Sequence, residues 1–115
     1  MGTTLCALGA VVGDEPRLVV TNVGDSRVYV YADGELVQVS EDHSLVAGLV
    51  RQGRLRPEEA ETHPQRNILT RALGVEPRVL VDAWELVPVV GDRYVLCSDG
   101  LFNEVTDEQI GDVVA

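Results

Sequence analysis

Lysine is absent from this sequence, and arginine supplies all 9 basic residues against 19 acidic ones, for a formal net charge of −10. So little positive charge excludes the electrostatic footprint of a nucleic-acid-binding protein or of a protein that lies on an anionic membrane. Phosphate chemistry stays open, because a bound cation can invert the field of an acidic site. Cysteine is nearly as scarce. Cys6 and Cys97 stand in no CxxC or Cys/His cluster, so they read as buried, reduced thiols. The longest apolar run, Leu5 to Val12, is too short for a membrane span, and no basic segment precedes it as in a secretory signal. The expected location is the cytoplasm. Internal repeats and low-complexity segments are also missing. What is there is a chain of 115 residues, 45% hydrophobic and 24% charged, enough to pack as one domain or as part of one.

Turn chemistry divides the first third of the chain into strands. An apolar stretch from Thr3 to Val12 stops at Gly13-Asp14-Glu15-Pro16, and a second runs from Arg17 to Val23. Gly24-Asp25-Ser26 separates it from Arg27 to Tyr31, which reads as a tight hairpin. Asp33-Gly34 carries the signature of a type I′ turn, since both residues tolerate positive φ, and Glu35 to Val39 returns. The reading is an antiparallel meander. After Ser40 the pattern changes. Ser44 is placed to cap a helix carrying Leu45, Leu49 and Val50 and ending near Gly53, and Pro57 before two glutamates suits another first turn. Residues 41–74 therefore read as a largely helical insert. Strands resume over Arg78 to Val87 and Arg93 to Cys97, again as a hairpin. Thr106 and Gln109 match a capping box, opening a last helix expected to turn Ile110 and Val113 inward.

Five motifs then stand in order: Gly2-Thr3-Thr4 before a strand, Val23-Gly24-Asp25-Ser26-Arg27, Asp42-His43-Ser44, His63-Pro64-Gln65-Arg66-Asn67 running into Leu69 to Gly74, and Leu96-Cys97-Ser98-Asp99-Gly100-Leu101. Together they closely resemble the middle and C-terminal part of the bacterial metal-dependent (PPM, type 2C) serine/threonine protein phosphatases, over almost the whole chain. The resemblance implies an α+β fold, an antiparallel β-sandwich flanked by helices and incomplete in this chain, with residues 41–74 as the flap beside the catalytic cleft. Members of that family are longer. They also carry an N-terminal acidic motif, an Asp-Gly-x-Gly-Gly-His motif and a late Asp-Asn motif, none of which occurs here. An incomplete active site is therefore expected.

Hydrolysis of a phosphomonoester needs a nucleophile at neutral pH and positive charge on the phosphoryl oxygens, and paired divalent cations supply both. Hard cations prefer carboxylate oxygens, which strand ends can present. Asp99 follows an apolar strand and precedes a glycine; by resemblance it is a metal ligand, while turn chemistry alone would make it a loop cap. Asp25 has two roles open on equal terms, a ligand of an additional metal, as the resemblance implies, or an Asx-type turn. Gly24, Ser26, Arg27 and Gly100 read as supports of these two loops. His63, Arg66, Asn67, Thr70 and Arg71 are candidates for the flap and substrate, although for Arg66 and Arg71 taken singly pairing with surface carboxylates is the slightly favoured reading. His43 and His63 lack partners at zinc spacing and read as hydrogen-bonded structural groups. Asp92 reads as a turn residue and Trp84 as core or a buried edge contact.

For the complete enzyme the resemblance implies hydrolysis of phosphoserine and phosphothreonine in proteins by a metal-bridged hydroxide, with about two or three Mg2+ or Mn2+ ions as cofactors. Its partners would be phosphorylated proteins, including substrates of a serine/threonine kinase. The alternative is a non-catalytic binding or regulatory module. Either way, incomplete sheet edges favour self-association.

Overall fold

The computed structural model describes residues 2–115. Its elements are β1 (Leu5–Val11), β2 (Arg17–Val23), β3 (Arg27–Ala32), β4 (Glu35–Gln38), α1 (Leu45–Arg51), α2 (Pro57–Ala60), β5 (Asp82–Leu86), β6 (Arg93–Cys97), α3 (Asp99–Phe102) and α4 (Asp107–Val114). They form two three-stranded antiparallel sheets, in the orders β1-β2-β5 and β4-β3-β6. The sheets meet where β1 lies against β3 and β6. Their shared interior holds Val20, Val23, Val28 and Tyr29, and Val46 and Ile110 extend it to the helices. This is the α+β sandwich that the resemblance implies.

The meander does not continue through Gly24-Asp25-Ser26. Both edges of β2 are taken, one by β1 and the other by β5, so no ladder is left for β3. β3 is likewise held between β4 and β6. The expected hairpin is therefore a crossing from one sheet to the other, and the expected hairpin from β5 to β6 is a second such crossing. Strand β5 is also shorter than the apolar stretch 78–87 suggests, because only Asp82–Leu86 finds a partner in β2.

Where local chemistry decides, structure follows sequence. Asp33 and Gly34 both sit at positive φ, 51° and 80°, and close the β3-β4 hairpin. The Ser44 hydroxyl accepts the Ala47 N–H at 3.2 Å at the start of α1. Thr106 and Gln109 exchange both bonds of a capping box, at 2.8 and 3.2 Å. Helix α4 buries Ile110 and brings Gly111 to the hairpin, where an added Cβ would meet Leu36 at 3.8 Å. Val113 falls outside that stripe and is 84% exposed, contrary to expectation.

Only α1 and α2 of the insert 41–74 are helical. The rest is turns held by backbone bonds: Leu45 N–H to Ile68 O at 2.9 Å, Thr70 N–H to His43 O at 3.0 Å, and a mutual pair between Thr3 and Leu73. None of the helices among the described residues is long and apolar enough to cross a membrane.

Candidate functional site

Antiparallel register brings the two candidate carboxylates together. Arg27 pairs with Cys97 at the end of the β3-β6 ladder. Asp25 stands two residues before Arg27 and Asp99 two residues after Cys97, just past the end of that ladder, and the charge of Asp99 acts on Asp25. Asp99 opens the one-turn helix α3 rather than a plain loop. Asp25 lies in the crossing between the sheets. Its carboxyl is pushed above the ordinary value, first by burial, then by the like charges of Asp99 and Asp42. Arg27 offsets part of this repulsion, and a bound cation would offset more.

Backbone and side chains around Asp25 hold it in place. Gly24 adopts φ 103°, and a Cβ there would approach Thr4 Cγ2 to 2.4 Å, so only glycine fits. Ser26 is buried, with its hydroxyl 2.7 Å from that of Thr4. Asn22 donates to the carbonyls of Gly24 at 3.1 Å and Glu41 at 3.0 Å. Its Oδ1 is buried with no hydrogen-bond partner among the described residues. Gly100 has open space except for Ser98 Oγ at 3.5 Å from a Cβ position.

Arg27 is fully engaged. Nε and Nη2 donate to Asp42 at 3.1 and 2.7 Å, Nη1 donates to the Tyr29 hydroxyl at 3.0 Å, and the guanidinium lies 3.8 Å from the centroid of the Phe102 ring. Burial opposes its charge, but the bonds to Asp42 and Tyr29 prevail and hold its pKa above the ordinary value. Tyr29 in turn donates to Asp107 at 3.1 Å, and burial pushes its phenol up to about 12. Arg27 thus supports the site, with each of its three nitrogens bonded to Asp42 or Tyr29.

The flap candidates divide. Arg66 and Asn67 line a groove of about 1090 Å³ together with Asp25, Arg27, Asp42 and Phe102. Arg66 bonds the His63 carbonyl at 3.1 Å, and His63 Nδ1 accepts the Gln65 N–H at 3.0 Å, both within one turn. Thr70 and Arg71 instead line a separate cavity of about 680 Å³ with Gly2 and Leu80. Arg71 reaches Asp82 Oδ1 at 2.9 Å, so its carboxylate partner stands on β5. His43 is buried, with Nε2 2.7 Å from Asp82 Oδ2, and so is the structural group its spacing suggests. The two cysteines are free and half-buried, and burial pushes both thiols up.

Asp42, Asp82, Tyr29 and Phe102 complete these contacts but received no role from sequence. Apart from Arg27 and Tyr29, two residues apart on β3, the pairs join residues 11 to 78 positions apart, which no local spacing signals. Among the described residues no group of three or more His, Cys, Asp or Glu is gathered as a complete metal cage. Asp25 and Asp99 fit a cation as a partial donor set.

Asp82 is held below the ordinary carboxylate range, first by its hydrogen bond with His43 and further by Arg71. A depressed folded-state pKa contributes stability above the unfolded value, near ~3.9 for aspartate, which is lost as pH falls through the folded value. Asp82→Asn is therefore expected to destabilise the chain at neutral pH, with the difference from wild type shrinking as pH drops below about 4. Urea unfolding over that range measures it, and a difference that stays constant would contradict the assignment.

No family model matches the chain. Among curated relatives, a serine/threonine phosphatase, stp, of Listeria welshimeri is 45% identical over 114 residues, which is 99% of this chain and 44% of the relative. Among solved structures, the serine/threonine phosphatase of S. agalactiae superimposes with a TM-score of 0.90 at 41% identity, over 100% of this chain and 46% of that one. The catalytic domain of the serine/threonine protein phosphatase PstP, solved in complex with 2 manganese ions, gives 0.75 at 42% identity over 97% of this chain and 44% of that one. The chain thus spans less than half the length of these proteins, and over that stretch it shares their fold.

Proposed function

We propose, from the premise that this chain corresponds to one segment of a bacterial serine/threonine phosphatase of the metal-dependent PPM type, that it supplies the Asp25 and Asp99 side of a divalent-cation site for phosphoprotein hydrolysis. The observation that carries the reading is the approach of Asp99 to Asp25 just past the end of the β3-β6 ladder, close enough for its charge to act on the half-buried Asp25 carboxyl. Mg2+ or Mn2+ suits these oxygen donors, and when bound it supplies Lewis acidity toward a phosphoryl group and a nearby water.

The chain's own residues do the holding. Gly24 and Ser26 fix the Asp25 loop against Thr4, Arg27 braces it against Asp42 and Phe102, and α3 presents Asp99 from its first turn. Residues 41–74 act as the flap, with Arg66 and Asn67 facing the groove that contains Asp25, where a phosphorylated segment of a substrate protein would lie. Exposed apolar side chains such as Leu80, Val87 and Val90, beside open strand edges, leave the isolated chain prone to self-association.

Mn2+-dependent hydrolysis of a phosphothreonine peptide tests this. The 115-residue chain alone is expected to turn over far below an enzymatic rate, and a longer protein containing it and the remainder of the fold is expected to be active. Full activity of the short chain would overturn the incomplete-site reading, and an inactive longer protein would favour a binding module.

A further inference from the structure

Gly24, the residue before Asp25, is bonded to His43 through both of its backbone groups. Its N–H donates to His43 Nδ1 at 3.0 Å, and its carbonyl accepts the His43 N–H at 2.9 Å. A ring nitrogen that accepts carries no proton, so the proton of this buried imidazole sits on Nε2, 2.7 Å from Asp82 Oδ2. The other oxygen of Asp82 accepts from Arg71 Nη1 at 2.9 Å. The line runs without a gap from Arg71 to the peptide beside Asp25, through residues 11, 39 and 19 positions apart in sequence. Separations of that kind arise from tertiary placement and not from turn formation.

We propose that Arg71 is a positioning residue for the Asp25 loop: through Asp82 and His43 it fixes the Gly24 peptide, and so couples residues 63–74 to the carboxylate pair. Each link is directional. Asp82 can hold the Nε2–H of His43 and an Nη1–H of Arg71 on separate oxygens because it has two acceptor oxygens, and His43 can serve Gly24 only while its ring is held in that tautomer. Thr4 closes the opposite side of Gly24, where even a methyl group would clash, so the loop cannot settle elsewhere without leaving the His43 contact. Arg71 is also tethered to its surroundings by a bond to the Leu80 carbonyl at 3.3 Å. A substrate or neighbouring segment that draws Arg71 away would therefore loosen Asp25 without touching it.

The part of the proposal that concerns a cation rests on the function proposed above, and two separate readouts keep them apart. Amide hydrogen exchange at Gly24 and the 15N shifts of the His43 ring report the line of contacts in the metal-free chain. Paramagnetic broadening of the Asp25 and Asp99 amides on titration with MnCl2 reports the cation. With Arg71→Met, Gly24 exchange is expected to rise by about tenfold, the equivalent of one hydrogen bond involving a charged group. The His43 ring is expected to lose its pure Nε2–H signature, and Mn2+ half-saturation is expected to move to higher concentration. Arg71→Lys should restore part of each change. Arg56→Met, which removes only an ion pair with Glu59 inside its own turn and lies outside the groove, should leave them at wild-type values.

Asp82→Asn is a second variant of nearly identical shape; it keeps an acceptor for His43 while turning an amide group toward Arg71, and it should reproduce the effect. Gly24 exchange within about twofold of wild type in both folded variants, a difference worth less than one hydrogen bond, overturns the proposal. If Gly24 responds as expected while MnCl2 broadens neither aspartate even in the wild type, the positioning role stands and the cation reading falls.

Discussion

Asp99→Asn is expected to weaken Mn2+ binding by about a hundredfold or more in a protein that contains the whole fold, because a lost ligand costs at least as much as a lost ligand support. The same substitution is expected not to lower the melting temperature of the metal-free chain. Asp99 acts on Asp25 as a like charge, and burial leaves Asp25 poorly placed to bear it. Removing the Asp99 charge relieves that repulsion, while the amide can still sit at the first position of α3. A residue that merely caps a loop would behave in the opposite way, costing stability when changed and leaving cation affinity alone. Calorimetric titration with MnCl2 and thermal melts in chelator separate the two roles. Unchanged affinity together with a lowered melting point would assign Asp99 to the loop.

The features that sequence made legible are those decided within a few residues. Asp33-Gly34 needs two left-handed backbone positions and has them, and Ser44, Thr106 and Gln109 satisfy amides three residues away. Asp25 and Asp99 could be singled out because glycines and strand ends mark them, and the resemblance supplied a role. The division into two sheets was not legible. It depends on β5 reaching back to β2 and β6 to β3, and nothing in Gly24-Asp25-Ser26 distinguishes a hairpin from a crossing. The same holds for the groups behind the site. Asp42 and Asp82 look like ordinary surface carboxylates until the fold places Arg27 beside one and His43 beside the other. Val113 has the helical spacing of a core residue, yet α4 rests on its Ile110 and Gly111 side.

Arg27→Met is expected to destabilise the chain by about 3 kcal/mol, at the lower end of what breaking a buried ion pair costs. The side chains of Arg27 and Asp42 are 23% and 15% exposed, so water compensates little for the loss. Asp42 would keep the Gln38 amide at 2.8 Å, which moderates the penalty. The Tyr29 hydroxyl would lose its donor, and the face of Phe102 would lose its cation. Methionine fills much of the volume, so the cost reflects stranded charge more than a cavity. Arg27→Lys keeps the charge but not the fork that serves Asp42 and Tyr29 together, and should fall between the two. The consequence reaches the site because the same contacts join β3 to α3, where Asp99 begins, and through Tyr29 and Asp107 to the start of α4. Urea unfolding of the three proteins measures the stability order. A loss under about 0.5 kcal/mol for Arg27→Met would show that Asp42 is served by solvent and Gln38 alone, as in an exposed pair. The loop carrying Asp25 would then depend on Gly24 and Ser26 for its position.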